Sequence, residues 1–198
     1  MNIGPEQRAA MHGRHIKDQI ILHETVSPNQ PGLADIRATS YFLGHVRHDG
    51  VLYGIHGITD ADGNIAWANG YGDAIFYHCA SSGLKGNGSA NYRGIGIEQI
   101  SPVAGDRETR IKWWDNHKTL LDATAELVAW QAALRHIPLV YSDGTKPGVT
   151  THWSVSHAYA VPDGHWDCWP RQEGGHYPVF DVILKAKSIA KTKYKYGV

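Results

Sequence analysis

Apolar residues in this chain gather into short runs that stop on a charged or hydrogen-bonding side chain. Gln19-Ile-Ile-Leu-His-Glu-Thr25 is the first of these. It is strand-sized and closes on His23, as a buried strand does when it delivers a side chain to the edge of a sheet. His23 is therefore either a functional residue at a strand end or a histidine satisfied in the core. Gly94-Ile-Gly-Ile-Glu-Gln-Ile100 repeats the pattern, with Glu98 interrupting the run. A carboxylate there costs desolvation unless it meets a cation, a donor or water, and that expense makes Glu98 a functional candidate. Between the two, residues 51–58 and 65–68 flank Asp60-Ala-Asp-Gly-Asn64, which predicts a hairpin.

Helical spacing occurs three times. Residues 33–46 place Leu33, Ile36, Ser40 and Leu43 on one face, after the turn cluster Ser27-Pro-Asn-Gln-Pro-Gly32. Residues 114–136 give the longest pattern, with Leu120, Leu127 and Leu134 on one side, Leu121, Val128 and Ala132 beside them, and Pro138 closing it. Residues 178–191 predict a last helix that turns Val179, Val182, Ile183 and Ala186 inward, ahead of a basic tail. All three read as helices packed on a sheet. With no internal repeat and no linker, the expectation is one α/β domain.

The stretch from Val149 to Pro170 has a different character. It holds His152, His157, His165, Asp167 and Cys168 together with Trp153, Trp166 and Trp169. Its two prolines and one glycine exclude a single long amphipathic helix. It is expected to be a connection that displays polar side chains from a scaffold built elsewhere. Imidazole and carboxylate together suit zinc, which in catalytic sites takes three protein ligands and leaves one position open. The plainer alternative is a histidine-rich surface loop.

Composition narrows the function classes. Lysines plus arginines equal aspartates plus glutamates at 19 each, which argues against a phosphate backbone as the main partner. No apolar run approaches the roughly 18 residues that span a bilayer, so no membrane partner is expected. The opening residues Met1-Asn-Ile-Gly-Pro-Glu-Gln-Arg carry no apolar core of a signal peptide, so synthesis in the cytoplasm is expected. Cys79 and Cys168 are too few for a disulfide framework. The glycine- and serine-rich stretch from Gly83 through Asn91 lacks the lysine-serine ending of a phosphate-binding loop. Thirteen histidines are the compositional outlier.

His23, Glu98 and the 152–168 stretch are three separated pieces that together meet the needs of a hydrolytic zinc site: ligands for the metal and a group to handle a proton. At this point the sequence resembles the zinc-dependent N-acetylmuramoyl-L-alanine amidases, whose fold is shared by peptidoglycan recognition proteins and many phage endolysins. The likeness is carried by Ile20-Ile-Leu-His-Glu-Thr25, Asn91-Tyr-Arg-Gly-Ile-Gly-Ile-Glu98, His152-Trp-Ser-Val-Ser156 and His165-Trp-Asp167.

The resemblance implies a central mixed β-sheet flanked by helices over about residues 19–190; with no linker or second module visible in the sequence, a single domain without a separate wall-binding module is expected. It implies zinc held by His23, His152 and Asp167, with Glu98 as general base. His165 stands two positions before Asp167, where the family places a polar catalytic residue. Cys168 is the alternative third ligand, but it would put Trp166 in that polar position. His78 and Asn91 match cleft residues that meet the substrate, with a structural role at the hairpin end as the alternative. Relatives that use a tyrosine in the hairpin strand would place it near Ile55 or His56 here, which leaves the base role to Glu98. The implied activity is cleavage of the amide between N-acetylmuramic acid and L-alanine in peptidoglycan. The expected setting is a monomeric phage endolysin that reaches the wall after release. The alternatives are a muropeptide-recycling amidase in the cytoplasm and a non-catalytic peptidoglycan-binding module.

Overall fold

The structure is a computed structural model that describes residues 16–25, 45–46, 52–68, 73, 75–79, 90–101, 105–161 and 164–196. The two apolar runs singled out above are its central strands. β1 (Gln19–Glu24) and β6 (Gly94–Gln99) lie side by side and parallel, each buried at every position. β7 (Gly148–Thr151) joins β1 on its other side, also parallel. β4 (Gly57–Thr59) runs parallel to β6, and β5 (Ile65–Trp67) closes the edge antiparallel to β4. The order is β5-β4-β6-β1-β7, a mixed sheet. A separate two-stranded pairing joins β2 (His45–Val46) to β3 (Leu52–Tyr53).

One face of the sheet is apolar and covered by helices. Ile20, Leu22, Ile95, Ile97 and Val149 share a core with α3 (Lys118–Arg135) and α5 (Val179–Lys193). The other face carries Ile21, which packs with Cys79, Ala90 and Val155. Because strand side chains alternate, the run Gly94-Ile-Gly-Ile-Glu sends its isoleucines to the helices and its glycines to the second face. The glycines are needed there. A Cβ on Gly94 would run into the Ile21 side chain, and one on Gly96 would stand 2.8 Å from His78 Nδ1.

Several elements differ from the periodicity. The long pattern at 114–136 is two helices, α2 (Arg107–Asn116) and α3, which part at His117 with φ −112° and ψ 53°. The His117 ring lies on Trp113, with centroids 3.9 Å apart. Leu134 is 57% exposed, so the inward stripe of α3 runs through Leu120, Leu121, Thr124, Leu127, Val128 and Gln131 instead. The expected strand at 51–58 is divided between β3 and β4. Its hairpin turn is held by Asp60, whose carboxylate accepts from the backbone N–H groups of Asp62 and Asn64 and from Asn64 Nδ2, each at 3.0 Å. Residues 33–44 of the first expected helix lie outside the described residues, and its last two, His45 and Val46, are a strand. The 149–170 stretch is more ordered than a loop. It opens as β7 and turns into α4 (His152–Ala158). Among the described residues the other helices are short: α1 (Ala90–Arg93), which leads into β6, and a 3-10 turn at Arg171–Glu173.

Candidate metal centre

The register of the three parallel strands assembles the centre at their carboxyl ends, the usual place for a site on an open α/β sheet. His23 is the penultimate residue of β1 and stands opposite Glu98, the penultimate residue of β6, so both project to the same face. β7 ends one step earlier, with Thr151 opposite Leu22. The next residue, His152, therefore arrives beside His23 as the first residue of α4. Thr151 caps that helix, its side chain accepting from Ser154 N–H at 3.2 Å. The backbone N–H of Trp153 donates to Asp167 O at 3.1 Å and ties the following loop to the start of α4.

His23 Nδ1, His152 Nδ1 and Asp167 Oδ2 form a triangle with sides of 3.1, 2.9 and 3.4 Å. Tetrahedral zinc with ligand bonds of 2.0–2.1 Å would hold its ligand atoms about 3.3 Å apart. Two imidazoles and a carboxylate at that spacing fit a zinc-like cation with one side open. All three residues are buried. Burial, and then the neighbouring His23, pushes the His152 pKa down to about 4. The ring is therefore neutral at pH 7, with a lone pair to give. Burial alone would raise the Asp167 carboxyl, but hydrogen bonds from His152, His165 and His23 outweigh it and hold the group well below the usual carboxylate range.

His165 lies at the rim, half-exposed. Its ring stacks on His152 with centroids 3.9 Å apart, and its Nδ1 is 3.5 Å from Asp167 Oδ1. The hydrogen bond to Asp167 raises its pKa above that of an ordinary histidine, which favours a protonated, hydrogen-bond-donating ring. Glu98 is buried on the same face, one strand over from His23.

His78 and Asn91 are engaged with the protein itself. His78 Nδ1 is 2.9 Å from His23 Nε2 and 3.2 Å from Cys79 Sγ, while its Nε2 is buried without a hydrogen-bond partner. Asn91 is buried and holds the backbone of the 78–79 segment. Its Oδ1 accepts from the N–H groups of His78 at 2.9 Å and Cys79 at 2.8 Å, and its Nδ2 donates to Cys79 O. His56 is buried, and its Nδ1 accepts from Gly96 N–H at 3.0 Å. His157 faces away, its Nδ1 against Trp153 O and its ring stacked on Trp153.

Cys168 stands on the opposite side from the triangle of His23, His152 and Asp167. Its φ of 54° turns the chain so that Asp167 faces the histidines and the Cys168 sulfur enters the helix-covered core, 3.5 Å from Gln99 Nε2. The residue that holds this turn escaped the sequence reading. Glu24 is buried beneath the sheet and accepts the Cys168 N–H at 2.6 Å, His176 Nε2 at 2.7 Å and Trp114 Nε1 at 3.0 Å, with the Arg110 guanidinium 3.3 Å away. Cys79 was also missed as a member of the cluster, although its adjacency to His78 in the sequence was the available signal.

A family model described as N-acetylmuramoyl-L-alanine amidase matches residues 13–172. The chain belongs to that family. The match spans His23, Glu98, His152, His165 and Asp167, and it makes the chain an amidase of the peptidoglycan-directed kind. Among solved structures, the catalytic domain of PlyG aligns with a TM-score of 0.62 at 16% identity, over 98% of this chain and 96% of that one. A mutant of PlyL aligns at 0.60 and 16% identity, covering 94% and 95%. The Staphylococcus aureus hydrolase AmiA, solved with its ligand, aligns at 0.55 and 17%, covering 91% and 81%. At these identities the likeness concerns the fold. No curated protein sequence matches the chain. Among the described residues, no helix is long and apolar enough to cross a membrane.

Proposed function

We propose that this chain is a zinc-dependent N-acetylmuramoyl-L-alanine amidase that cuts the amide between the lactyl group of N-acetylmuramic acid and L-alanine, in the role of a phage endolysin. The observation that carries the reading is the ligand triangle of His23, His152 and Asp167 with Glu98 in register beside His23. Zinc in that triangle would polarise the scissile carbonyl and make water easier to deprotonate. Glu98 takes the proton from the attacking water and passes it to the leaving amine. His165, half-exposed and favouring its protonated form, donates a hydrogen bond to the carbonyl oxygen as negative charge grows there. His23 is steadied by His78, as a metal-bound imidazole is by an acceptor on its second nitrogen.

The test is mass analysis of purified peptidoglycan after digestion. The reading expects free stem peptides beginning with L-alanine and intact lactyl carboxylates on the glycan. Fragments cut within the peptide would make the chain a peptidase, and binding without any cut would make it a recognition module. The endolysin role is tested separately, by whether expression lyses cells only when the membrane is opened.

A further inference from the structure

His23 offers both of its ring nitrogens to chemistry. Nδ1 belongs to the triangle above. On the other edge of the ring, His23 Nε2, His78 Nδ1 and Cys79 Sγ form a second triangle, with sides of 2.9, 3.2 and 3.9 Å. Around a tetrahedral cation with bonds of about 2.05 Å to nitrogen and 2.3 Å to sulfur, such atoms would stand about 3.3 to 3.6 Å apart. Each side of the triangle is within about 0.4 Å of that spacing. The geometry points to a second cation site, softer than the first, in which His23 bridges two metals through its two nitrogens.

The ligand set selects the occupant. A thiolate with two imidazole nitrogens favours zinc, cadmium or copper(I) over magnesium, calcium or manganese. The structure also holds the site in shape: Asn91 fixes the backbone of both His78 and Cys79 through three hydrogen bonds. Gly96 leaves the space in which the His78 ring lies. Charge is accounted for as well. Entry of the cation releases two protons to solvent, one from the Cys79 thiol and one from His23 Nε2. The resulting thiolate and imidazolate, with the carboxylates of Asp167 and Glu98 nearby, balance two divalent cations.

Occupation inhibits the enzyme. It takes up both ring nitrogens of His23, ends the direct contact between His23 Nε2 and His78 Nδ1, and places a second positive charge near Glu98. This consequence rests on the reading of His23 as a zinc ligand, whereas the binding itself does not need a substrate.

The experiment starts from the full chain loaded with one zinc and titrates it with cadmium alone. Retained metal is counted after dialysis, and thiolate-to-cadmium charge transfer is followed by ultraviolet absorption. The expected result is a second retained equivalent with a thiolate band, accompanied by a fall in turnover of about tenfold or more, the usual size of an effect transmitted through a ligand's second nitrogen. Cys79→Ser and Cys79→Ala should each retain one equivalent, show no band and keep their turnover at cadmium levels that silence the parent. Cys168→Ser should behave like the parent. Absence of a second equivalent or of the band in the parent overturns the site, as does a band that survives in both Cys79 variants. Cadmium that merely replaces zinc in the first triangle gives one equivalent and no band, which also overturns it. None of these binding outcomes depends on whether the protein cuts peptidoglycan.

Discussion

His23 and Glu24 are neighbours in β1, as Glu98 and Gln99 are in β6, and the two pairs lie in register across the sheet. The pleat separates them. His23 and Glu98 lie on the face where His152 and Asp167 join His23. Glu24 and Gln99 face the helices, where each is fully enclosed by protein. The polar groups on the enclosed side are satisfied internally. Glu24 is saturated by donors from α2, from His176 and from the Cys168 turn. Gln99 Oε1 accepts from Tyr177 OH at 2.8 Å and Thr124 Oγ1 at 3.1 Å, and its Nε2 donates to His23 O at 3.1 Å. On the other face the Nδ1 atoms of His23 and His152 converge on one another and on a single carboxylate oxygen of Asp167. A buried polar cluster that closes on itself supports structure, whereas one whose donor atoms converge on a common point supports chemistry. Asp167 and Cys168 repeat the division in the loop that completes the site.

The sharpest way to break this comparison is to remove the proposed ligands from the first of these faces. His23→Ala and Asp167→Ala are expected to lose bound zinc and to drop turnover to background, because two remaining ligands hold catalytic zinc poorly. Metal analysis of protein purified without added zinc checks both. A variant that stayed metal-loaded and active would remove the triangle from the mechanism. Glu98→Gln should keep the metal and the unfolding midpoint while kcat falls by about 10²- to 10⁴-fold, the usual worth of a proton-transfer group. Near-normal turnover would pass the base role to another group on the same face.

Mutation of the enclosed side should produce the opposite signature. Glu24→Ala leaves the Cys168 N–H, the Trp114 indole and Arg110 without their acceptor. Breaking a buried charged cluster of this kind costs about 3–5 kcal/mol of stability. Denaturant unfolding reads that loss directly. The metal-loaded fraction of the variant should keep kcat within a few-fold of the parent, with zinc affinity lowered because the turn that presents Asp167 is no longer held. An unchanged midpoint would mean that water replaces the carboxylate and that the enclosed face is not closed after all.

What the sequence disclosed follows from the same division. His23 and Glu98 stood out because each interrupts an apolar run, whereas Asp167 was preferred to Cys168 on the family resemblance, which places His165 two positions before it. Glu24 and Gln99 were not, since a polar residue at the end of a strand reads as the start of a solvated turn. Their partners arrive from far along the chain: Trp114, Thr124, Cys168, His176 and Tyr177. β7 was hidden for a related reason. The metal-capable residues of the 149–170 stretch drew attention away from Val149-Thr-Thr151, a β-branched run that was the signal for a strand. Leu134 shows the reverse error: it was assigned to the inner face of the expected 114–136 helix, which the structure divides at His117, and it is exposed. The paired glycines of β6 carried information that only the structure decoded, since the side chains that occupy their missing Cβ positions come from β1 and from the 55 and 78 positions.

The mildest test concerns Cys168, because its sequence neighbour Asp167 is a proposed ligand and zinc accepts thiolate as readily as carboxylate. The structure separates the two by backbone geometry. With φ at 54°, residue 168 turns its side chain under the sheet, and its sulfur is in contact range of Gln99 Nε2 rather than of either ligand histidine. Burial raises the thiol's pKa well above its ordinary value, and the carboxylates of Glu24 and Asp167 raise it further, so the group stays protonated and packs as a small apolar side chain. Cys168→Ser then buries a hydroxyl in an apolar site, which costs about 1–3 kcal/mol when no partner is near. Gln99 Nε2 provides a partner, so the loss should sit near the lower end, about 1 kcal/mol. Zinc content and kcat should match the parent. X-ray absorption on the chain loaded with one zinc should show only nitrogen and oxygen neighbours at about 2.0–2.1 Å and no sulfur near 2.3 Å. A sulfur shell that disappears in Cys168→Ser would reverse the orientation of this turn, make Cys168 the third ligand and withdraw His165 from its place beside the carbonyl.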